Sequence, residues 1–270
     1  MSETVLTGLL RRENAIVLIA LVVLTLLAWL ALLAGAGTGM DPAAMSGWWL
    51  PLELPAAESW PWTPYYWLIG FFMWAVMMVA MMLPSAAPQV LLYARATAHA
   101  ERQGRPLNTR ALVVAFASGY LSLWILFSAL AVALQFGLER IGLMSAMMSS
   151  RSVALSGALL IAAGLYQLSP LKTACLKHCR APAAFLSTHW RPGLSGAWRM
   201  GLLHGAYCVG CCAVLMLLLF VGGVMNLVWI AALTLFVAFE KFAPFGETFA
   251  KATAAILIAA GLALVLLSIE

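Results

Sequence analysis

Residues 15–37 read AIVLIALVVLTLLAWLALLAGAG, a run with a single hydroxyl and no charge. About 20 such residues carry a helix across a hydrocarbon core, so this stretch places the chain in a bilayer rather than in water. Arg11 and Arg12 precede it, as in a secretory signal, but the apolar part is longer than the roughly 7–15 residues of a signal peptide. It reads as an uncleaved first span.

Six further apolar stretches follow, over residues 65–93, 111–137, 153–169, 200–221, 226–242 and 251–269. The expected fold is an all-α, polytopic transmembrane helical bundle of about seven spans. Composition agrees: 64% of the residues are hydrophobic, only 9% are charged, and the mean hydropathy is +0.98. So few charges cannot coat a soluble globule of 270 residues. No internal repeat and no soluble domain stands out. The natural division is residues 1–64, a first helix with an outer loop, and residues 65–270, a six-helix membrane domain.

The basic residues orient the bundle. With the N-terminus inside, thirteen of the fifteen Lys and Arg fall on the cytoplasmic side, leaving only Arg140 and Arg151 outside. The C-terminus then lies outside, and the bacterial inner membrane is the expected location. The net charge of +5 is thus a topology signal and gives no reason to expect nucleic acid as a partner.

The first outer loop holds Asp41, Glu53 and Glu58 with no Lys or Arg, and carries Trp48, Trp49, Trp60 and Trp62 into Tyr65, Tyr66 and Trp67. These aromatics suit an interfacial belt. Thr63 and Pro64 form a cap and first-turn pair for the second helix. Within that helix Met73, Met77 and Met81 repeat every four residues on one face, with Met78 and Met82 on the neighbouring ridge. A methionine stripe packs well in any apolar core. Its expected depth, level with the cysteines described next, adds a ligand reading: a thioether relay. Pro84 and Pro88 are expected to break or kink the inner end of this helix.

All five cysteines lie between positions 175 and 212. Cys175, His178 and Cys179 share one helical face, and so do His204, Cys208, Cys211 and Cys212. The second group continues through Met200 and Met216 as a soft-donor ridge. Small residues such as Gly201, Gly205 and Gly210 would serve close helix packing, but packing does not account for His204 on the same ridge. A metal site does. The first group, at the cytoplasmic end of the fourth span, is placed as a port for an ion, with Lys172, Lys177 and Arg180 nearby to favour thiolates. Met144, Met147 and Met148 form a possible outer soft cluster, and Glu240 is expected to pair with its neighbour Lys241 at the interface.

Three strings, MMVAMMLPSAAP (77–88), YQLSPLKTACLKHCR (166–180) and GAYCVGCC (205–212), resemble an uncharacterised bacterial family of predicted metal-binding integral membrane proteins. The likeness runs from about residue 65 to the end. It implies a metal without naming which metal or its use.

Thiolate and thioether donors together select Cu(I), whereas zinc favours sites without methionine. The sequence therefore predicts a membrane protein that binds a soft metal, Cu(I) first, and moves it across or delivers it within the membrane. His204, Cys208, Cys211 and Cys212 would be central ligands, Met73, Met77 and Met81 the relay, and Cys175, His178 and Cys179 the port. Lipid, the metal ion, and a copper chaperone or partner membrane protein are the expected partners. No nucleotide-binding loop is present to drive transport. Two other readings compete: a membrane thiol–disulfide oxidoreductase using Cys208 with Cys211 or Cys212, and an assembly factor whose cysteines only pack.

Overall fold

A computed structural model describes residues 3–47, 62–105, 108–145 and 148–269. Its regular elements are helices: α1 Glu3–Leu33, α2 Pro64–Arg102, α3 Thr109–Arg140, α4 Val153–Gln167, α5 Pro170–Arg180, α6 Pro182–His189, α7 Gly193–Met216, α8 Leu219–Gly222, α9 Leu227–Phe242 and α10 Gly246–Leu267. Trp48, Trp49, Trp60, Glu53, Glu58 and Met147 lie outside the described residues.

Among the described residues, five helices are long and apolar enough to cross a membrane: α1, α2, α3, α7 with α8, and α10. There are six if the pair α4 and α5, bent by 64°, counts as one span. Among the described residues a seventh is not found, and the two departures from seven straight spans have local causes. Pro170 opens a new helix with Ser169 as its cap, the hydroxyl accepting from the Lys172 amide at 3.1 Å, so the chain turns where α4 ends. Helix α9 has 16 residues and ends at buried Glu240 and Lys241. At about 1.5 Å per residue it falls short of a core about 30 Å thick.

Thr63 and Pro64 do start α2, with extended backbone at Thr63 and proline at the first turn. Pro84 and Pro88 do not break α2, which runs through both as one helix of 39 residues. The carbonyl of Met82, near the first proline, accepts the Ser85 hydroxyl at 2.8 Å and the Tyr120 hydroxyl at 3.0 Å. Neighbouring helices thus supply partners around a stretch that prolines would otherwise weaken.

The bundle is drawn tight where glycines let backbones meet. A Cβ on Gly201 would overlap the Phe116 carbonyl, and one on Gly119 would overlap the Trp198 carbonyl, so α3 and α7 pack parallel at close range. Gly157 meets Gly261, and Gly164 meets Ala254 and Ile258, so α10 runs antiparallel to α4. Both are the small-residue contacts that hold helices together without a hydrophobic driving force. The outward faces are bare leucine and isoleucine: Leu26, Leu27 and Leu30 on α1 and Ile256 and Leu266 on α10 are each more than half exposed.

At the other end of the chain fold, the segment before α4 closes over the turn between α7 and α9. The Ser150 amide donates to the Phe220 carbonyl at 2.8 Å and the Val224 amide to the Met148 carbonyl at 3.0 Å. Met144 and Met148 are buried under this cover, 4% and 1% exposed, rather than facing outward. Asn226 caps α9 and also bonds Gly47 in both directions, tying down the first loop.

Gly201→Val should force α3 and α7 apart, an overpacking cost of about 1–3 kcal/mol. Gly137→Ala, where an added Cβ meets nothing within 4 Å, is the control. Thermal unfolding in detergent should show a clear fall for the first and none for the second.

Candidate metal centre

Helix α7 brings three thiols to the middle of the bundle. Cys208, Cys211 and Cys212 are at most 2% exposed, and all five cysteines are free thiols. On their own helix, Cys211 and Cys212 donate to the Cys208 carbonyl at 3.1 and 2.9 Å, which holds both sulfurs against the same turn. Five other helices then approach this turn.

From α2 comes Met82, whose sulfur lies 3.8 Å from that of Cys212. From α3 comes Tyr120, whose hydroxyl donates to the Met82 carbonyl and sits 3.1 Å from the Cys208 sulfur. The close glycine contacts of α3 with α7 make this reach possible. From α5 come Cys179, its sulfur 4.0 Å from that of Cys211, and Cys175, whose sulfur packs where Gly210 has no side chain. The Tyr166 hydroxyl donates to the Gly210 carbonyl and fixes the same contact from α4. From α9 comes Lys241, whose ammonium donates to Cys208 Sγ at 3.0 Å and to Ser85 Oγ at 2.9 Å.

The other expected donors stand apart from this cluster. His204 is turned into an aromatic box, with ring centroids 5.5 Å from Tyr120, 5.4 Å from Phe185 and 6.2 Å from Phe116, and its buried Nδ1 has no hydrogen-bond partner. His178 stacks flat on Tyr207 at 4.0 Å and its Nδ1 meets the Ala174 carbonyl at 2.9 Å. Met73, Met77 and Met81 are buried in the same core cluster as the cysteines. The α2 sulfur in contact with a cysteine is that of Met82, on the adjoining ridge.

Two expectations about charge are corrected. Glu240 does not pair with Lys241; it takes Lys172 on both carboxylate oxygens, at 2.9 and 2.7 Å, and Gln167 at 2.8 Å, with all partners buried. Successive helix residues point about 100° apart, so neighbours in sequence face different partners. The cation at the thiols is accordingly Lys241. Lys172 is spent on Glu240, and Arg180 donates to the Ala243 and Pro244 carbonyls at the end of α9. Lys241 carried no metal-like signal in the sequence; the one available sign was an ion-forming pair near the end of an otherwise apolar helix.

A separate polar chain lies toward the other end of α3. Trp62 donates to Glu139 at 2.8 Å, Gln135 donates to Glu139 at 3.0 Å, and Trp74 donates to Gln135 at 2.9 Å. Trp62 is therefore a buried-carboxylate partner as well as a belt aromatic.

Among the described residues, no three His, Cys, Asp or Glu side chains gather tightly enough to form a metal cage. The donors that do meet, thiols with one thioether, are nonetheless those that suit Cu(I). The molecule is thus an all-helical protein with membrane-length apolar helices folded around a sheltered thiol cluster. Its sequence matches the PpoB2 copper chaperone family over residues 71–264, and the chain belongs to that family. The match takes in every residue of the cluster and gives the protein a copper-related function. No curated protein and no solved structure matches the chain.

Glu240→Gln should strand Lys172 in the core and destabilise the protein by about 3–5 kcal/mol, whereas Lys172→Met with Glu240→Leu should recover most of that loss. Denaturant unfolding in detergent, followed by helical circular dichroism, measures both.

Proposed function

We propose that this is an integral protein of the bacterial inner membrane that receives Cu(I) on the cysteines of α5 and α7 and delivers it within, or across, the membrane. The observation that carries the reading is the meeting of Cys179, Cys208, Cys211 and Cys212 with Met82 in a dry core, in a chain of a copper chaperone family. Thiolates and thioethers are the soft ligands that prefer Cu(I). Cys208 and Cys212 are the central ligands, and Met82 supplies a neutral third donor. Cys175 and Cys179 are half-buried on α5 and stand between the surface and the inner thiols.

That gradient of burial suits handover. A cargo site must release its ion, so thiols that lie near one another without forming a closed cage fit a chaperone better than a permanent cofactor site. The stripe Met73, Met77 and Met81 continues from Met82 along α2 as a thioether path. His178 and His204 are placed beside the path, on aromatic rings, and join the ligand set only if those rings move. The distribution of basic residues supports an N-terminus in the cytoplasm and a C-terminus outside.

The competing oxidoreductase reading draws on the Cys179 and Cys211 sulfurs, 4.0 Å apart on different helices. Redox cycling would trap a disulfide in cells, whereas copper delivery needs reduced thiols.

The test is Cu(I) titration of purified protein against a competing chelator. Cys208→Ser with Cys212→Ser should abolish tight binding, Met82→Leu should weaken it a few-fold, and Ser128→Ala should leave it intact. Acid-trapped alkylation of cells should find Cys179, Cys208, Cys211 and Cys212 reduced. Unchanged copper stoichiometry in the double serine variant would sink the proposal, and a trapped disulfide would favour the enzyme.

A further inference from the structure

The face of α7 opposite its cysteines is only partly covered by protein. Arg199, Leu202, Leu203 and Ala206 follow one another there at helical spacing, about half a turn around the helix from Cys208 and Cys212. With Leu123 of α3 and the turn between α6 and α7, they line a cavity of about 470 Å³. That turn is held in place. The Arg191 amide donates to the Met200 sulfur at 3.2 Å, the Arg191 carbonyl closes on Gly196 where a Cβ would overlap it, and the Trp190 ring lies 5.6 Å from that of Tyr93.

The cavity changes character along its length. Arg191, Arg199 and His189 line it beside the first turns of α7. Among the described residues neither guanidinium has a hydrogen-bond or ion-pair partner, and no carboxylate lines the cavity. The sequence has no Asp or Glu between Glu139 and Glu240 that could supply one from a neighbouring stretch. Further along α7 the wall is Leu202, Leu203 and Ala206, with Leu123 against Gly205. At 1.5 Å per residue, the stretch from Arg199 to Ala206 is about 10 Å long, and it belongs to a helix of membrane length. Trp190 and Trp198, 38% and 42% exposed, flank the charged end as interfacial aromatics do.

We infer that this cavity is a site for one anionic phospholipid, with its phosphate on Arg191 and Arg199 and the start of an acyl chain along Leu202, Leu203 and Ala206. Two unpaired guanidinium groups call for an anion, and their planar forks match phosphate oxygens. The apolar wall calls for an anion that carries hydrocarbon, which free phosphate does not. A lipid seated there touches α3, α7 and the turn between α6 and α7, and so braces the thiol-bearing helix from the side away from its cysteines. The inference needs only a membrane setting and stands whatever the cargo of the cysteines.

The test is a titration of the full-length protein in detergent with phosphatidylglycerol, phosphatidylcholine and inorganic phosphate, with bound lipid counted by native mass spectrometry. The wild type should retain one phosphatidylglycerol in preference to phosphatidylcholine, and inorganic phosphate should not displace it. Arg191→Gln with Arg199→Gln should lower phosphatidylglycerol affinity by about tenfold or more. Ala206→Trp, which fills the apolar end and keeps both charges, should lower it as well, and Arg151→Gln should not. All these side chains are exposed, so the variants should fold. Equal retention of the two lipids, or unchanged affinity in the double glutamine variant, would overturn the inference. Displacement by inorganic phosphate, or indifference to Ala206→Trp, would replace the lipid site with a bare anion patch suited to phosphate or to an acidic protein surface. The lipid comparison and the phosphate competition use the wild type alone, so they decide the matter even where a variant does not fold.

Discussion

An ammonium group inside an apolar helical core has to be answered by an anion, and two such groups shape the centre of this molecule. Lys172 is answered by Glu240, a contact that joins α5 to the end of α9. Because Glu240 is fixed in that direction, the next residue on the helix is turned toward α7 and α2, where Lys241 finds Cys208 and Ser85. Arg180 completes the junction by holding the carbonyls at the end of α9. A short α9 follows from the same constraint: its inner end is anchored by buried charge within the bundle, so it has no need to reach the far interface.

The thiol cluster depends equally on the glycines. Tyr120 reaches Cys208 only because α3 and α7 touch backbone to backbone at Gly119 and Gly201. Cys175 lies against α7 only because Gly210 offers no side chain. The glycines read as packing and the cysteines read as ligands are therefore parts of one arrangement. Close packing is what brings sulfur from α5 and α2 to the sulfur of α7.

The apolar runs made the helical class legible, because a stretch such as residues 15–37 has no other stable home. The cysteine spacing made the shared face of α7 legible, because a helix has one period. What could not be read was partnership between helices. Adjacency pairs Glu240 with Lys241, whereas the fold gives it Lys172, 68 residues away. Met81 and Met82 differ by one position and 100° of rotation, and depth alone cannot say which faces Cys212. The prolines of α2 carry a strong local signal for a break or kink, yet the helix continues through both. His204 stood on the soft ridge but faces rings of α3 and α6, since a ridge on one helix covers several neighbours.

A protein that carries copper must bind it tightly enough to hold it and loosely enough to surrender it. A rigid cage of three or four thiolates would satisfy the first demand and defeat the second. Here the sulfurs are held by other interactions: Cys211 and Cys212 by the Cys208 carbonyl, Cys208 by Tyr120 and Lys241, Cys212 by Met82. On the proposed reading, each of these partners would give way to a metal and return when the metal leaves. The empty and loaded states would then both be satisfied, since the hydroxyl and the ammonium would cover the thiols once the ion had gone. In a dry core, where an unsatisfied polar group is costly, such interchangeability lowers the barrier to both loading and release.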